Sequence, residues 1–477
     1  LTTGAPLSVT GPNGLTTSYE YDGFGRLLRE VSPTGVSSTS ELLLPADLND
    51  ADAVQGLNVV YVARARMDNL PPTVRLIDAK GRVLRTIAEG FTTDANAKRP
   101  IQRDTEYDLL GRPTKTSLPY QRGSTRYWAI VDRYDALGRA LRTVAPNGAV
   151  TETAYASRAG GGSSLIITDP LGRKTTTTTN MRLLPLLVKD AMGGTVTYVY
   201  DAGDRLLTMV GPTGATTRHT YDGVGQRVET SDPDMGRWRY QYDPFGRLVE
   251  QTDAKQQITT IEYDLLGRPL RKSQNDATSW WEYDTAARGI GKIASVRGSD
   301  GYREDFFYDE FGRQNRWAVV IGNETFATST QYDRLGRVAR LFYPNGVSVD
   351  NVYDKKGYLQ SVRNAYSGLE YWTAIDVDQF GRSTIDLLGN GLSTTRTFDP
   401  QSARPQTIYV GQEKEGTVLD LSLKYDLVGN LTSRAEKTGT RPGQPISEAF
   451  TYDALDRLTG MSKPNGSAER YAFDAAR

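Results

Sequence analysis

The chain has no cysteine in 477 residues. Disulfide staples, thiolate metal sites and thiol nucleophiles are therefore excluded. Histidine is almost as scarce. His219, in a strand-like Arg-His-Thr-Tyr-Asp context, is the only one, so it has no second histidine for a dyad or a metal site and reads as structural. Charge of one sign is not in excess, since 57 Lys and Arg balance 57 Asp and Glu. No basic stripe stands out, and nucleic acid is not expected as a partner. No apolar run approaches the length that spans a bilayer, and no signal peptide is legible. The Gly-x-Ser-x-Gly elbow and the His-Glu-x-x-His helix are missing. Gly289-Ile290-Gly291-Lys292 fails as a phosphate loop, because Ala286 and Ile293 stand where glycine and a magnesium-binding Ser or Thr belong. Hydrophobic residues are only 38%, alongside 47 Gly and 27 Tyr. That suits an extended sheet with many turns better than a set of thick cores.

What is abundant is a repeat. Tyr200, Tyr221, Tyr242 and Tyr263 fall 21 residues apart, and each precedes an Asp: Asp201, Asp222, Asp243 and Asp264. A glycine follows three residues after the Asp at Gly225, Gly246 and Gly267. The same triplet recurs as Tyr21, Asp22 and Gly25, as Tyr107, Asp108 and Gly111, and as Tyr134, Asp135 and Gly138. It returns as Tyr308, Asp309 and Gly312 and as Tyr332, Asp333 and Gly336. Thirteen of the 27 tyrosines precede Asp, against about two expected by chance, and such periodicity outranks other signals in setting the fold.

The unit is physically legible. In Arg237-Trp238-Arg239-Tyr240-Gln241-Tyr242 the aromatics alternate with polar residues, which is the strand period. Asp243-Pro244-Phe245-Gly246 has type I turn preferences: the Asp accepts bonds from the turn's own amides, and the Gly takes positive φ. An Arg usually follows, as at Arg26, Arg112, Arg139, Arg247, Arg268, Arg313 and Arg337, and reads as a solvated or tyrosine-stacked strand residue. A second turn, Pro-Asn-Gly or Pro-Thr-Gly, closes the other end at Pro12, Pro33, Pro146, Pro212, Pro344 and Pro464. There the Asn-Gly pairs are expected to tolerate positive φ. One unit is thus one β-hairpin, strung head to tail.

The predicted organisation is a single continuous array over residues 1–477. Non-repeat insertions are expected near 36–75, 90–103, 401–424 and 436–449, the first containing a short helix or a decorated hairpin. Leu1 and Arg477 fall in mid-repeat, so the sequence reads as a piece of a longer array.

Units such as YDPFGRLVEQTD, YDLLGRPLRKS and YDEFGRQNRW resemble the YD repeats of the RHS family. That family includes the B and C components of bacterial Tc toxin complexes, Rhs polymorphic toxins, wall-associated bacterial proteins and teneurins. The resemblance covers nearly the whole chain. It implies an all-β fold: tandem hairpins forming a long spiralling antiparallel sheet, part of a hollow shell around a toxic segment. It also implies a bacterial, secreted or cell-surface location. The expected partners are an enclosed toxin or effector segment of the same or a partner chain, and a delivery machine such as the Tc A component or type VI secretion. The family's usual autoproteolytic core, rich in Asp-Pro-x-Gly, has no match after Tyr452, and no cleavage residue is carried over.

Geometry points the same way. Some 35 strands at about 4.8 Å each would run roughly 170 Å sideways, and a barrel of even half that number already leaves a channel. Propeller blades are the rival, but odd and even units do not alternate and no Gly-His…Trp-Asp signature occurs. The expected function is a non-catalytic scaffold that encapsulates and shields its cargo. No cofactor and no metal site is predicted, although stacked oxygen-rich turns would suit calcium. The alternative is a surface adhesion module binding carbohydrate or protein, with Trp280 and Trp281 as a sugar-stacking platform beside Tyr283.

Overall fold

The structure, a computed structural model, describes residues 4–94, 97–412, 418–438, 446–463 and 466–474. Pro464 and Asn465 of the last Pro-Asn-Gly turn lie outside that set, as do parts of the insertions near 401–424 and 436–449. The described strands, from Ser8–Thr10 to Ala468–Arg470, form one 41-stranded sheet. Consecutive strands pair antiparallel without grouping into blades, as between Gly236–Tyr242 and Leu248–Thr252, except that Tyr120–Gln121 pairs with Pro100–Tyr107 and Trp128–Tyr134 with Pro113–Ser117. In Gly236–Tyr242 the exposure alternates as the sequence predicts, with Trp238, Tyr240 and Tyr242 half-buried and Arg237, Arg239 and Gln241 exposed.

The strands outnumber those of the repeats because the insertions are themselves hairpins. The stretch near 36–75 holds the strand Ser37–Leu43, a 3-10 turn Pro45–Asp47, a short helix Ala51–Val54 and the strand Tyr61–Met67, and its two strands pair from Ser38↔Met67 to Leu43↔Val62. It is thus both a helix and a decorated hairpin.

Both turn classes share one backbone. Gly246 N–H donates to Asp243 O at 2.9 Å and Asp243 N–H to Arg247 O at 2.9 Å, with Gly246 at φ 82°. At the other end, Gly14 N–H donates to Gly11 O at 2.9 Å, Gly11 N–H to Leu15 O at 2.9 Å, and Gly14 has φ 76°. Each is a type I turn closed by a left-handed glycine, with a register shift at the tyrosine of the aspartate turn. In the described Asn-Gly pairs the positive φ falls on the glycine, at 76° for Gly14, 81° for Gly148 and 82° for Gly346, and not on the asparagine. Instead Asn147 and Asn345 accept from the amides of Ala149 and Val347 at 3.2 and 3.1 Å. Proline presets φ where no aspartate holds the turn from within.

The chain divides into two compact units. Unit one comprises Leu1–Thr151, Ser329–Thr451 and Gly460–Glu469; unit two comprises Glu152–Thr328, Tyr452–Thr459 and Arg470–Arg477. Within unit one, the aspartate turns of residues 329–451 meet the opposite edge of residues 4–151. Arg334 donates to Gly35 O at 3.1 Å and to Asp68 at 3.2 Å. Lys356 Nζ donates to Thr92 Oγ1 and Ala97 O, both at 2.7 Å, and Arg99 reaches Asp376 at 2.7 Å and Val377 O at 2.9 Å. Phe91 packs there with Ala374 and Val377, edge-on to Tyr358. Within unit two, Arg173 clasps both carboxylate oxygens of Asp456 at 2.9 and 3.2 Å.

Unit one also holds a local core. Ala53, Val62, Val74, Leu76 and Ile87 are buried together beneath Leu48, Val54 and Leu57 of the insertion.

Candidate functional site: the lattice joining one hairpin to the next

Each aspartate turn is built around a single carboxylate. Asp243 Oδ1 accepts from the amides of Phe245 and Arg247, both at 2.9 Å, while Oδ2 accepts from Arg247 Nε at 2.6 Å. The carboxylate replaces the water that would otherwise solvate the turn amides, and it fixes the arginine at the root of its side chain. Asp22, Asp108, Asp135, Asp169, Asp201 and Asp264 repeat all three bonds, and Asp333 binds Arg337 the same way.

The fixed arginine then reaches into the next hairpin. Arg247 lies over the Tyr263 ring, 5.1 Å from its centre, and donates to Asp264 O at 3.0 Å. Tyr263 in turn donates its hydroxyl to Leu248 O, at 2.8 Å, in the previous hairpin. The same interlock joins Arg82 to Tyr107, Arg112 to Tyr134, Arg205 to Tyr221, Arg268 to Tyr283 and Arg337 to Tyr353. Tyr107, Tyr134, Tyr221, Tyr242 and Tyr308 each return a hydroxyl bond to the preceding hairpin, and Tyr21 donates to Pro6 O at 3.3 Å. Tyrosine, aspartate and arginine are therefore the parts of one joint, and the 21-residue spacing places the arginine one strand pair from the next ring. The sequence pattern predicts solvated or ring-stacked arginines. The structure adds the carboxylate clasp and the carbonyl bond that aim them.

Electrostatics follow the geometry. The Asp22, Asp108, Asp135 and Asp201 carboxyls are held below the usual range. The backbone N–H of the arginine four residues on is the main cause, aided by the guanidinium bond against partial desolvation. Burial pushes the Tyr134, Tyr242, Tyr283 and Tyr308 phenols up, so they remain hydroxyl donors.

Two turns put a second aspartate where the glycine belongs. Asp204 has φ 66° and Asp456 φ 61°. Both engage an extra arginine, Arg182 at 2.7 Å and Arg173 at 2.9 Å. A left-handed non-glycine residue costs backbone energy, and here each one gains an ion pair.

A buried polar cluster in unit one had no sequence signal. Asp104 accepts from Arg85 Nε at 2.6 Å and Nη2 at 2.8 Å, from Tyr120 Oη at 2.8 Å and from Arg126 at 3.1 Å. Arg85 also donates to Ala53 O at 2.8 Å, which ties the insertion helix down. Burial, with the bond to Asp104, pushes the Tyr120 phenol up to about 12. Every acidic and basic group in the cluster is paired with another.

The other candidates are placed as follows. His219 Nδ1 lies 3.1 Å from Thr230 Oγ1, and burial lowers its pKa. Trp280 is exposed, while Trp281 and Tyr283 are half-buried on the opposite face of the strand Ala277–Tyr283. The strand period thus separates the two tryptophans rather than forming one platform. Among the described residues, no three His, Asp or Glu side chains converge as metal ligands would, and no helix is long and apolar enough to cross a membrane.

The family model described as RHS Repeat matches residues 2–37, 200–237 and 221–258. No curated protein matches the chain in sequence. Among solved structures, TcdB2-TccC3-Cdc42 superposes with a TM-score of 0.76 over 98% of this chain and 33% of its own, at 14% identity. TcdB2-TccC3 gives 0.76 over 98% and 31%, at 15% identity. The Photorhabdus luminescens Tc holotoxin pore gives 0.73 over 96% and 31%, also at 15% identity. The chain spans about a third of the length of these structures.

Proposed function

Because the chain belongs to the RHS/YD-repeat family and carries its antiparallel hairpin sheet, we propose that it is a non-catalytic wall segment that encloses and shields a toxin or effector polypeptide before delivery. The observation that carries this reading is the interlock between hairpins. It satisfies each turn internally and each repeat through its neighbour, so stiffness is spread along the sheet instead of gathered at a site. Such a sheet suits a barrier. Most of its strands pair on both sides, which leaves an enclosed chain little ladder to join.

The fold shared with TcdB2-TccC3 supports a partner within a toxin complex, and secretion or surface display goes with it. Shielding is steric: the cargo is kept from proteases by exclusion. An adhesive role for the tryptophans lacks the shared face that sugar stacking requires.

Limited proteolysis of the full natural polypeptide tests the reading. A cargo segment protected in the intact protein and degraded when isolated is expected. Equal digestion in both states would reject enclosure.

A further inference from the structure

Three Asn-Gly turns in unit one are built alike. In each, the glycine N–H donates to the carbonyl of the first turn residue: Gly148 to Ala145 O at 2.9 Å, Gly346 to Tyr343 O at 3.0 Å and Gly391 to Leu388 O at 2.9 Å. The asparagine Oδ1 accepts from the amide two residues on, at 3.2 Å for Asn147, 3.1 Å for Asn345 and 3.2 Å for Asn390. They differ in what precedes the asparagine. Pro146 and Pro344 stand before the first two, whereas Gly389 stands before Asn390.

The sheet itself imposes that glycine. A β-carbon at position 389 would lie 2.3 Å from Glu370 O. Gly389 N–H also donates to Tyr371 O at 2.9 Å, a bond that proline has no hydrogen to make. Close strand packing at this point therefore keeps out the residue that stiffens the sister turns.

The difference bears on chemistry. An asparagine followed by glycine can be attacked at Cγ by the glycine nitrogen, because no β-carbon stands in the way. In the closed turn that N–H is engaged with the first carbonyl, so attack waits until the turn opens. Proline fixes φ and leaves the open turn few conformations, which favours the closed one. Glycine leaves it many, which favours opening.

We propose that Asn390 is a site of spontaneous covalent modification. When its turn opens, Gly391 N bonds to Asn390 Cγ and the Cγ–Nδ2 bond breaks. Nδ2 leaves as ammonia, carrying the proton from the glycine nitrogen. Water then opens the cyclic imide at either carbonyl, which leaves aspartate or isoaspartate. Water is the only co-reactant. The aspartate product keeps an acceptor for the Leu392 amide. The isoaspartate product runs the chain through Cβ and lengthens the turn. That turn joins the strands Ser383–Leu388 and Ser393–Phe398, whose Asp386 and Arg396 are ion-paired at 2.7 Å. Either product adds a negative charge to the turn.

Incubating the full chain in heavy-oxygen water at mildly alkaline pH, followed by peptide mass spectrometry, tests this. Heavy oxygen is expected to enter position 390 about two- to fivefold faster than positions 147 and 345, the range that a proline's effect on the open chain sets. In denaturant the three positions are expected to label at one rate. Pro344→Gly, with an unchanged circular dichroism spectrum, is expected to bring position 345 up to the rate at 390. The wild-type comparison stands whether or not that variant folds. Equal rates at the three positions in the folded chain overturn the proposal, as does a position 390 that takes up no label. A folded Pro344→Gly chain whose position 345 stays slow overturns it too. So does a denatured chain in which 390 remains the fastest, since the difference would then lie outside the fold.

Discussion

The Arg247 guanidinium is shared between two hairpins: Asp243 Oδ2 holds its Nε at 2.6 Å, and the Tyr263 ring of the next repeat lies beneath its centre at 5.1 Å. The pairing makes the arginine a strut rather than a surface charge. Aspartate sets its direction, and tyrosine receives it. Stability in such an array resides largely in the terms between neighbours, and this contact is one of them.

Replacing Arg247 by Ala is expected to destabilise the protein by about 1–3 kcal/mol, since a cation–π contact and a charge-assisted bond are lost together. Tyr263→Phe removes only the hydroxyl bond to Leu248 O and is expected to cost about 1 kcal/mol. Chemical denaturation of the two single variants and the double variant checks both values. A second cycle with Tyr263→Leu, which removes the ring, tests the strut itself: a coupling energy near zero between Arg247→Ala and Tyr263→Leu would show that it carries no load.

The left-handed turn position gives an asymmetric pair of substitutions. Gly246→Ala forces a β-carbon into φ 82° and is expected to cost about 1–2 kcal/mol. Asp204→Gly relieves a φ of 66° but gives up the exposed ion pair with Arg182. Because an exposed pair contributes about 0–1 kcal/mol, that change is expected to be neutral or slightly stabilising. Thermal melts of both variants distinguish the cases. A strongly destabilised Asp204→Gly would mean that the Arg182 contact outweighs the backbone.

How far the sequence speaks follows from where each signal resides. Tyr242, Asp243 and Gly246 are local: alternation, an Asx turn and a positive φ are written within a few residues, so strand and turn were legible. The target of Arg247 was not, because it depends on strand spacing and on how the carboxylate turns the side chain. The insertion near 36–75 was legible only as a departure from the repeat. Val62 and Leu76 look like any alternating strand residues; what buries them is a helix arriving from the neighbouring turn. Asp104 likewise resembles the turn aspartates in type, yet it sits mid-strand under that helix. Trp280 and Trp281 part for a simpler reason: successive strand residues face opposite ways.

Arg85 and Asp104 form the most deeply buried ion pair among the described residues, with side chains 7% and 5% exposed. Removing one partner leaves the other charged and desolvated. Arg85→Ala and Asp104→Ala are each expected to cost about 3–5 kcal/mol. Arg85→Ala also frees Ala53 O, so the insertion helix should lose its anchor. Hydrogen exchange should then rise first in residues 44–60, ahead of the repeats in unit two. Uniform exchange across both units would sever the link between this pair and the insertion.

Acid should loosen the array through its turns. Asp22, Asp78, Asp108, Asp135 and Asp201 all have lowered pKa values in the folded chain. For Asp78 the leading cause is the Arg82 side chain, and for the others it is the amide of the arginine four residues on. A carboxylate bound more tightly to its partners when folded adds stability that is fully present above its unfolded pKa, about 3.9. As pH falls below that value the unfolded chain takes up protons first. The contribution shrinks until the folded carboxyls also protonate, and then it is gone. Stability should therefore be level from neutral pH down to about 4 and fall steeply below it. Because these five clasps share one geometry, their losses should add. Replacing Asp108 and Asp135 by Asn removes two titrating groups, and it should lower stability at neutral pH while making the acid limb shallower. Denaturation midpoints measured across the acid range check the slope. An unchanged acid limb in that variant would place the acid sensitivity outside the turns.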